Sequence, residues 1–258
     1  MYPSLDGRTA VVTGAASGIG RATAVALADN AVTVYGLDLQ AEPRDDGPRF
    51  DELITDGELV TGDVSDPAVV ESFIQAARSA GPISIAVNNA GIGGHGQLDG
   101  IDTEDWQRTF GVHVEGTANV CQAVLPDMVD RTDGRIVNVS SVAALLAYPQ
   151  LADYAAAKGA IASLTRQLAA DYSPDGIRIN AVAPGFIKTA MNADVWKSDR
   201  SVQQDGAVDL DDATRGTLLP YLGEPADVAD VITFLVSDRA RFLTGQVFPV
   251  DGGWTVSV

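Results

Sequence analysis

The sequence predicts an α/β domain built on a parallel sheet with helices on both faces. Short runs of β-branched and apolar residues alternate with longer helical stretches along the whole chain. The runs are apolar throughout, as strands covered on both faces require. Turn-forming or polar residues, namely Gly14, Asp38, Asp63, Asn89, Ser141 and Pro184, stand at or just past the ends of these runs. In open parallel sheets ligands bind outside the carboxyl ends of the strands, where strand order reverses. These positions are therefore expected to build one site on one rim.

The elements follow in order. Thr9–Thr13 reads as a buried strand that runs into the glycine turn Gly14-Ala-Ala-Ser-Gly18-Ile-Gly20. Residues 21–29 read as a helix, with Asn30 in the left-handed closing position. Residues 32–37 form the next strand, which ends at Asp38, and the breaker-rich stretch 42–48 is surface loop. A short strand at 59–61 precedes Gly62-Asp63-Val64, and a helix at 67–80 has Pro67 in its first turn. The fourth strand, 83–87, leads into Asn88-Asn89-Ala90-Gly91. One long helical segment is expected over 103–128, a fifth strand over 135–139 ending at Ser140-Ser141, and a second long helix over 153–171. A sixth strand at 177–182 closes at Ala183-Pro184-Gly185. The polar stretch 188–217 breaks the rhythm before a helix at 226–237 and a last strand at 246–250. No internal repeat or interdomain linker interrupts this order, so residues 1–258 read as a single domain.

A chain of 258 residues can bury a large core in such a domain. Lys and Arg number 17 against 35 Asp and Glu, a formal net charge of −18. Such a surface repels nucleic-acid backbones and anionic membranes, so neither is expected as a partner. Cys121 is the single cysteine and reads as a small core residue. The start, Met1-Tyr2-Pro3-Ser4-Leu5-Asp6, has no basic cluster or apolar run. No secretion signal or spanning segment is expected, and a cytoplasmic location fits. His95 and His113 are the only histidines and no Cys/His cluster exists, so no metal site is expected.

The chemistry resides in a few constellations. Bare backbone in the glycine turn lets a diphosphate approach, and a helix starting near Gly18 would aim N–H groups at it. The spacing is G-x-x-x-G-x-G rather than the commoner G-x-G-x-x-G. Asp38 at a strand end can accept hydrogen bonds from both ribose hydroxyls of an adenosine and would repel a 2′-phosphate. Leu39 and Gln40 follow it, with no cation directly after. Tyr154 and Lys158 are four apart, on one face if the segment is helical. An ammonium near a phenol stabilises the phenolate. Bringing a phenol of pKa about 10 to neutrality takes roughly 3 units, or about 4 kcal/mol. Burial acts in the opposite direction, so the cation must outweigh it. A tyrosine so tuned exchanges a proton with an alcohol or carbonyl oxygen near neutral pH.

Together these motifs are similar to the classical short-chain dehydrogenase/reductase family. The match runs from the glycine turn through Gly62-Asp63-Val64, Asn88-Asn89-Ala90-Gly91, Ser141/Tyr154/Lys158 and Pro184-Gly185-x-x-x-Thr189. The resemblance implies a seven-stranded Rossmann fold, a nicotinamide cofactor and a homotetramer. It implies Tyr154 as general acid/base, Ser141 as the hydrogen-bond partner of the substrate oxygen, and Lys158 on the nicotinamide ribose. Ser141 is chosen over Ser140 because it aligns with the family serine. Gly14, Ser17, Gly18, Ile19 and Gly20 would cradle the diphosphate. Asp63 and Val64 would flank the adenine, and Asn89 would lie along the cofactor. Ile187 and Thr189 would meet the carboxamide end, and Gly91, Pro184 and Gly185 complete the expected cofactor contacts. With Asp38, that cofactor is expected to be NAD. Residues 186–220 would form a substrate lid carrying Met191 and Trp196. The helix from Tyr154 carries the small residues Ala155, Ala156, Ala157, Gly159, Ala160 and Ala162. The resemblance implies that it and the long helix before it pack against a second subunit, the alternative being tight packing on the sheet within one chain.

The chain departs from the family pattern at His113, which stands where an asparagine holds a water of the proton relay. Its imidazole or its carbonyl supports that water, or the relay is rerouted, or His113 is a packed helix residue. His95, in Gly93-Gly94-His95-Gly96, faces the substrate or stands solvated in its loop. Residues 142–150 are expected to line an apolar substrate pocket. The leading expectation is hydride transfer between NAD and a secondary alcohol or ketone. One alternative is a β-ketoacyl-carrier-protein reductase using NADPH, because Pro184-Gly185-Phe186-Ile187 resembles that subgroup; Asp38 and the net charge speak against it. A second is a non-catalytic NAD-binding regulator, for which His113 is the only support.

Overall fold

Seven parallel strands run in the order β3–β2–β1–β4–β5–β6–β7: β1 Thr9–Thr13, β2 Thr33–Asp38, β3 Gly57–Thr61, β4 Ile83–Asn88, β5 Gly134–Val139, β6 Ile177–Pro184 and β7 Val247–Val250. The computed structural model describes residues 1–192 and 217–257. The chain begins at the sheet centre, winds out to β3, then crosses to β4 on the other side of β1. Strand order therefore reverses between β1 and β4, whose register pairs Val11 with Ala86 and Val12 with Val87. All residues of β1, β4 and β5 are buried.

Side chains alternate across the sheet, so successive residues enter different layers. Val12, Val34, Ile85, Val87 and Val137 face one core, against α1 (Gly18–Ala28) and the last helix. Val11, Leu37, Ala86, Ile136 and Ile179 face the other, against α3 (Pro67–Arg78) and the helix that precedes β5. Between the two layers lies the expected doubly wound sheet. Among the described residues no helix is long and apolar enough to cross a membrane.

Several local expectations are corrected. The left-handed residue closing α1 is Ala31, with φ of 58°, not Asn30. Asn30 instead donates from Nδ2 to Ala26 O at 2.8 Å and accepts from Tyr2 N at 2.6 Å. A short helix, α2 (Phe50–Leu53), follows the loop over 42–48 in a stretch for which no element was expected, with Phe50 drawn into the core at 1 % exposure. The long segment at 103–128 is three pieces: α4 (Thr103–Phe110), a π turn (Gly111–Glu115) and α5 (Gly116–Arg131). A π turn accommodates one extra residue in a helix and occurs often at functional sites. Gly116 lets this bend approach the segment that follows β3, since a Cβ there would lie 2.7 Å from Val64 Cγ1. The chain continues as α6 (Ala152–Tyr172) and α7 (Pro225–Val236). Most of the expected lid, with Trp196, lies outside the described residues; Ala190–Asn192 is a single 3-10 turn.

At the reversal point the Thr13 hydroxyl accepts hydrogen bonds from the backbone N–H groups of Asn89 and Ala90, each at 3.0 Å. Thr13→Val keeps the shape and removes the acceptor. We expect a loss of about 2 kcal/mol, since an unpaired buried donor costs about 1–3 kcal/mol. Denaturant unfolding should show a lower midpoint at unchanged slope; an unchanged midpoint would refute the role assigned to Thr13.

Candidate active site

The site begins where β1 ends. Gly14 turns with φ of 66° and Gly18 opens α1 with φ of 54°, conformations that glycine adopts without strain. The Asn89 amide nitrogen donates to Thr13 O at 3.0 Å and Gly14 O at 3.2 Å, which ties the turn to the end of β4. A Cβ on Gly14 would strike that nitrogen at 2.8 Å. The side chain of Asn89 is thus engaged by protein, although the residue also lines the cavity. Gly20 does not itself line the cavity, and a Cβ there would lie 1.9 Å from Gly14 O. Its role is to let α1 pack under the turn.

A cavity of about 260 Å³ runs along the carboxyl rim of the sheet. Gly14, Ser17, Gly18 and Ile19 form one wall, with the side chain of Ser17 making no cap to α1. Asp38, Asp63 and Val64 line one end. Asp38 Oδ2 accepts from Ala16 N–H at 3.0 Å, so the turn orients the carboxylate. Asp63 is folded into a local turn, its Oδ1 accepting from Ser65 N at 2.9 Å and Ser65 Oγ at 2.7 Å. Asn89 and Gly91 stand in the middle, and Pro184, Gly185, Ile187 and Thr189 form the wall opposite the turn. Thr189 packs over Gly18, where a Cβ would meet its Cγ2 at 3.2 Å. Bare backbone in the turn and an oriented carboxylate beyond it fit the diphosphate and ribose of a dinucleotide.

At the other end Ser141, Tyr154, Lys158 and His113 come together. Ser140 Oγ donates to Lys158 O at 2.9 Å and so fastens α6 to the end of β5. Ser141, one residue on, points the other way: its Oγ accepts from Ala143 N–H at 3.1 Å and hydrogen-bonds Tyr154. Lys158 Nζ donates to Val139 O at 2.8 Å and lies 5.5 Å from the centre of the Tyr154 ring. Burial pushes the Tyr154 phenol above its ordinary pKa, against the opposing hydrogen bond with Ser141. Burial also lowers Lys158 to about 7. The expected balance is therefore reversed in the chain alone: desolvation dominates the phenol, and the cation that was to oppose it is itself partly discharged.

His113 occupies the middle of the π turn and is fully buried. Its ring stands edge-on to Tyr154, centroids 5.4 Å apart. Nε2 lies 3.0 Å from Ile92 O and 3.2 Å from Ile92 N, so one tautomer donates and the other accepts. Nδ1 has no hydrogen-bond partner among the described residues. Gly91 makes room for the ring, since a Cβ there would lie 2.5 Å from His113 Cε1. The backbone carbonyl of His113 accepts from Thr117 Oγ1 at 2.7 Å.

A family model described as enoyl-(acyl carrier protein) reductase matches residues 14–255. The chain belongs to the classical short-chain dehydrogenase/reductase family. It is 39 % identical over 262 residues to 2-(S)-hydroxypropyl-CoM dehydrogenase 3 of Xanthobacter autotrophicus, covering 99 % of each chain. It is 36 % identical over 261 residues to the 3-oxoacyl-[acyl-carrier-protein] reductase of Thermotoga maritima, covering 98 % of this chain and 99 % of that one. The solved structure of gox2181 superimposes with a TM-score of 0.87 at 31 % identity, covering 98 % of each chain.

Three features of this short-chain dehydrogenase/reductase escaped the sequence reading. Arg44 and Arg108 line the cavity, and neither forms an ion pair among the described residues. Arg44 comes from the loop over 42–48, which Arg21 anchors through a forked pair with Asp45 at 2.7 and 2.9 Å. Residues 142–150 do not line the cavity. Val142 and Ala143 are buried in a 3-10 turn, and Tyr148 instead joins Phe186 and Trp254, whose rings stack at 4.6 Å. Distance along the chain hid that trio.

Burial and the Lys158 charge lower His113 to about 3 from an ordinary 6.5. Between these values the unfolded chain holds a proton that the folded chain lacks, so stability is lost as pH falls through that window and is unaffected above it. The expected slope is about 1.4 kcal/mol per pH unit. His113→Asn should remove it, read as the difference between variant and parent in unfolding free energy from pH 7 down to pH 5. Parallel curves would refute the buried neutral imidazole.

Proposed function

We propose that this chain is an NAD-dependent oxidoreductase that moves a hydride between nicotinamide and the carbon of a secondary alcohol or ketone. The observation that carries the reading is the convergence of Ser141, Tyr154 and Lys158 at one end of a cavity whose other end presents Asp38. In oxidation Ser141 holds the substrate oxygen and Tyr154 takes the hydroxyl proton. Lys158 has donors left beyond its bond to Val139 O, and these would hold the ribose and return the proton toward solvent. The bound cofactor would supply the hydride-accepting carbon and, when oxidised, a positive ring. Gly14, Ser17, Gly18 and Ile19 would take the diphosphate, Asp38 the adenosine ribose, and Asp63 with Val64 the adenine. Asn89, Gly91, Pro184, Gly185, Ile187 and Thr189 would flank the remainder. His113 would support the relay through Nδ1, which has no hydrogen-bond partner among the described residues. A second subunit would cover the small face of α6, where a Cβ on Gly159 would meet nothing within 4 Å.

Turnover is followed by nicotinamide absorbance over a panel of secondary alcohols, polyols, steroids and hydroxyacyl thioesters. Tyr154→Phe should lose at least about 10³-fold in kcat with cofactor affinity retained. In the parent, oxidation should speed up as pH rises toward the elevated phenol pKa. Equal turnover in the variant would refute Tyr154 as acid/base.

A second reading, NADPH-dependent reduction of 3-oxoacyl thioesters, is favoured by Arg44 in the same cavity as Asp38 and by the name of the Thermotoga relative. The carboxylate decides between them. The parent should prefer NAD, and Asp38→Ser should shift preference toward NADP by about 10-fold or more, since one removed charge repulsion is worth about 1.4 kcal/mol or more. A parent that already prefers NADP would establish the second reading.

A further inference from the structure

The loop after β4 enters the cavity with Asn89 to Ile92, and its next residues, 93–96, leave the cavity and are bound closely to the helix that carries Tyr154. His95 Nδ1 stands 2.6 Å from Asp153 Oδ2, and His95 N–H donates to Asp153 Oδ1 at 3.2 Å. Thr109, on α4, donates its hydroxyl to Asp153 Oδ2 at 2.9 Å. Asp153 is 0 % exposed and immediately precedes Tyr154 in the first turn of α6. The backbone joins as well, with Ala152 N–H donating to Gly96 O at 3.2 Å. Gly94 lies directly on this turn, where a Cβ would sit 2.8 Å from Leu151 Cδ2 and 3.1 Å from Tyr154 Cβ.

A buried carboxylate is costly unless its oxygens are hydrogen-bonded. Burial works to raise the pKa of Asp153, but the bonds from His95 and Thr109 outweigh it and the net direction is down. The carboxylate is therefore charged and accepts from three donors on two other elements. His95 meets charged groups on each element packed against it: Asp153 on α6 and Asp105 on α4, whose Oδ1 is 3.7 Å from Nε2. Beyond Asp153 stand Tyr154 and Lys158 on α6 and His113 in the π turn. Because a carboxylate faces Nδ1, that nitrogen is the donor whether the ring is neutral or charged. His95 does not line the cavity, and although it is solvent-exposed its ring is held by Asp153.

We propose that His95, with Asp153 and Thr109, is a positioning residue that clamps the loop after β4 and α4 onto the first turn of α6 and so sets where the Tyr154 hydroxyl meets Ser141. The inference rests on Tyr154 being the proton-transfer group. Small displacements of such a group matter, since a shift of about 1 Å can cost about 100-fold in rate.

The test uses the full chain labelled with 13Cζ-tyrosine, the Tyr154 resonance being assigned through Tyr154→Phe. In His95→Ala the phenol titration should move up by roughly 0.5 unit as the Ser141 bond loosens. Any turnover should fall about 10-fold or more in kcat with NAD affinity within about twofold. His95→Asn, whose amide nitrogen reaches the place of Nδ1, should restore both. Should the alanine variant be too unstable at the assay temperature, Thr109→Val removes one of the three donors and should give a smaller shift of the same sign. An unmoved titration in His95→Ala and Thr109→Val, or an asparagine variant as impaired as alanine, overturns the clamp. The titration needs no substrate. A shift seen in a parent that turns over nothing would therefore sink the oxidoreductase reading and uphold the clamp.

Discussion

The join between β1 and β4 is the constraint on which the rest of the site depends. Strand order reverses there, so the rim opens and a cavity becomes possible. Nothing in a parallel sheet holds the loops at such an opening by itself. Here Thr13 and Asn89 do so, with one hydroxyl accepting two backbone N–H groups and one amide donating to two carbonyls. The glycine turn is held against β4 by these bonds, and Gly20 lets α1 pack beneath it. From there the wall continues to Gly91, whose missing side chain is filled by the His113 ring.

Around the reacting end, burial sets the electrostatics. The phenol of Tyr154 is pushed up, Lys158 down to about 7 and His113 down to about 3, each toward its neutral form. A site so arranged carries little fixed charge of its own and responds strongly to a charge that arrives. The cavity's charged residues stand elsewhere: Asp38, Asp63 and the cations Arg44 and Arg108. A chain of net charge −18 thus places in its cleft two arginines that form no ion pair among the described residues, where an anionic cofactor would otherwise meet mainly carboxylates.

Legibility in the sequence follows the range of the forces involved. Strands were readable because burial on both faces demands continuous apolar runs, and the rim positions were readable because turns need particular residues. Tyr154 and Lys158 were readable because helical spacing brings them to one face. The π turn was not, since its residues Gly111 to Glu115 continue an ordinary helical pattern and the bend is made by packing of Gly116 on Val64. The pairing of His95 with Asp153 spans 58 residues, and nothing local marks either partner. Arg44 lies six places past Asp38, hidden in a loop whose course depends on the bridge from Arg21 to Asp45.

By itself the sequence determined the alternating sheet, the glycine turn, the acidic strand end and the Ser141, Tyr154 and Lys158 set, all of which depend on local pattern or on residue type. Only the tertiary structure decided the charge state those residues adopt, because desolvation depends on what surrounds a group and not on what precedes it. It alone also decided that Gly20 supports the turn from below, that Tyr148 leaves the cavity for Phe186 and Trp254, and that His95 bonds a buried carboxylate. Each of these is a meeting of distant segments, and a linear pattern carries no record of which segments will meet.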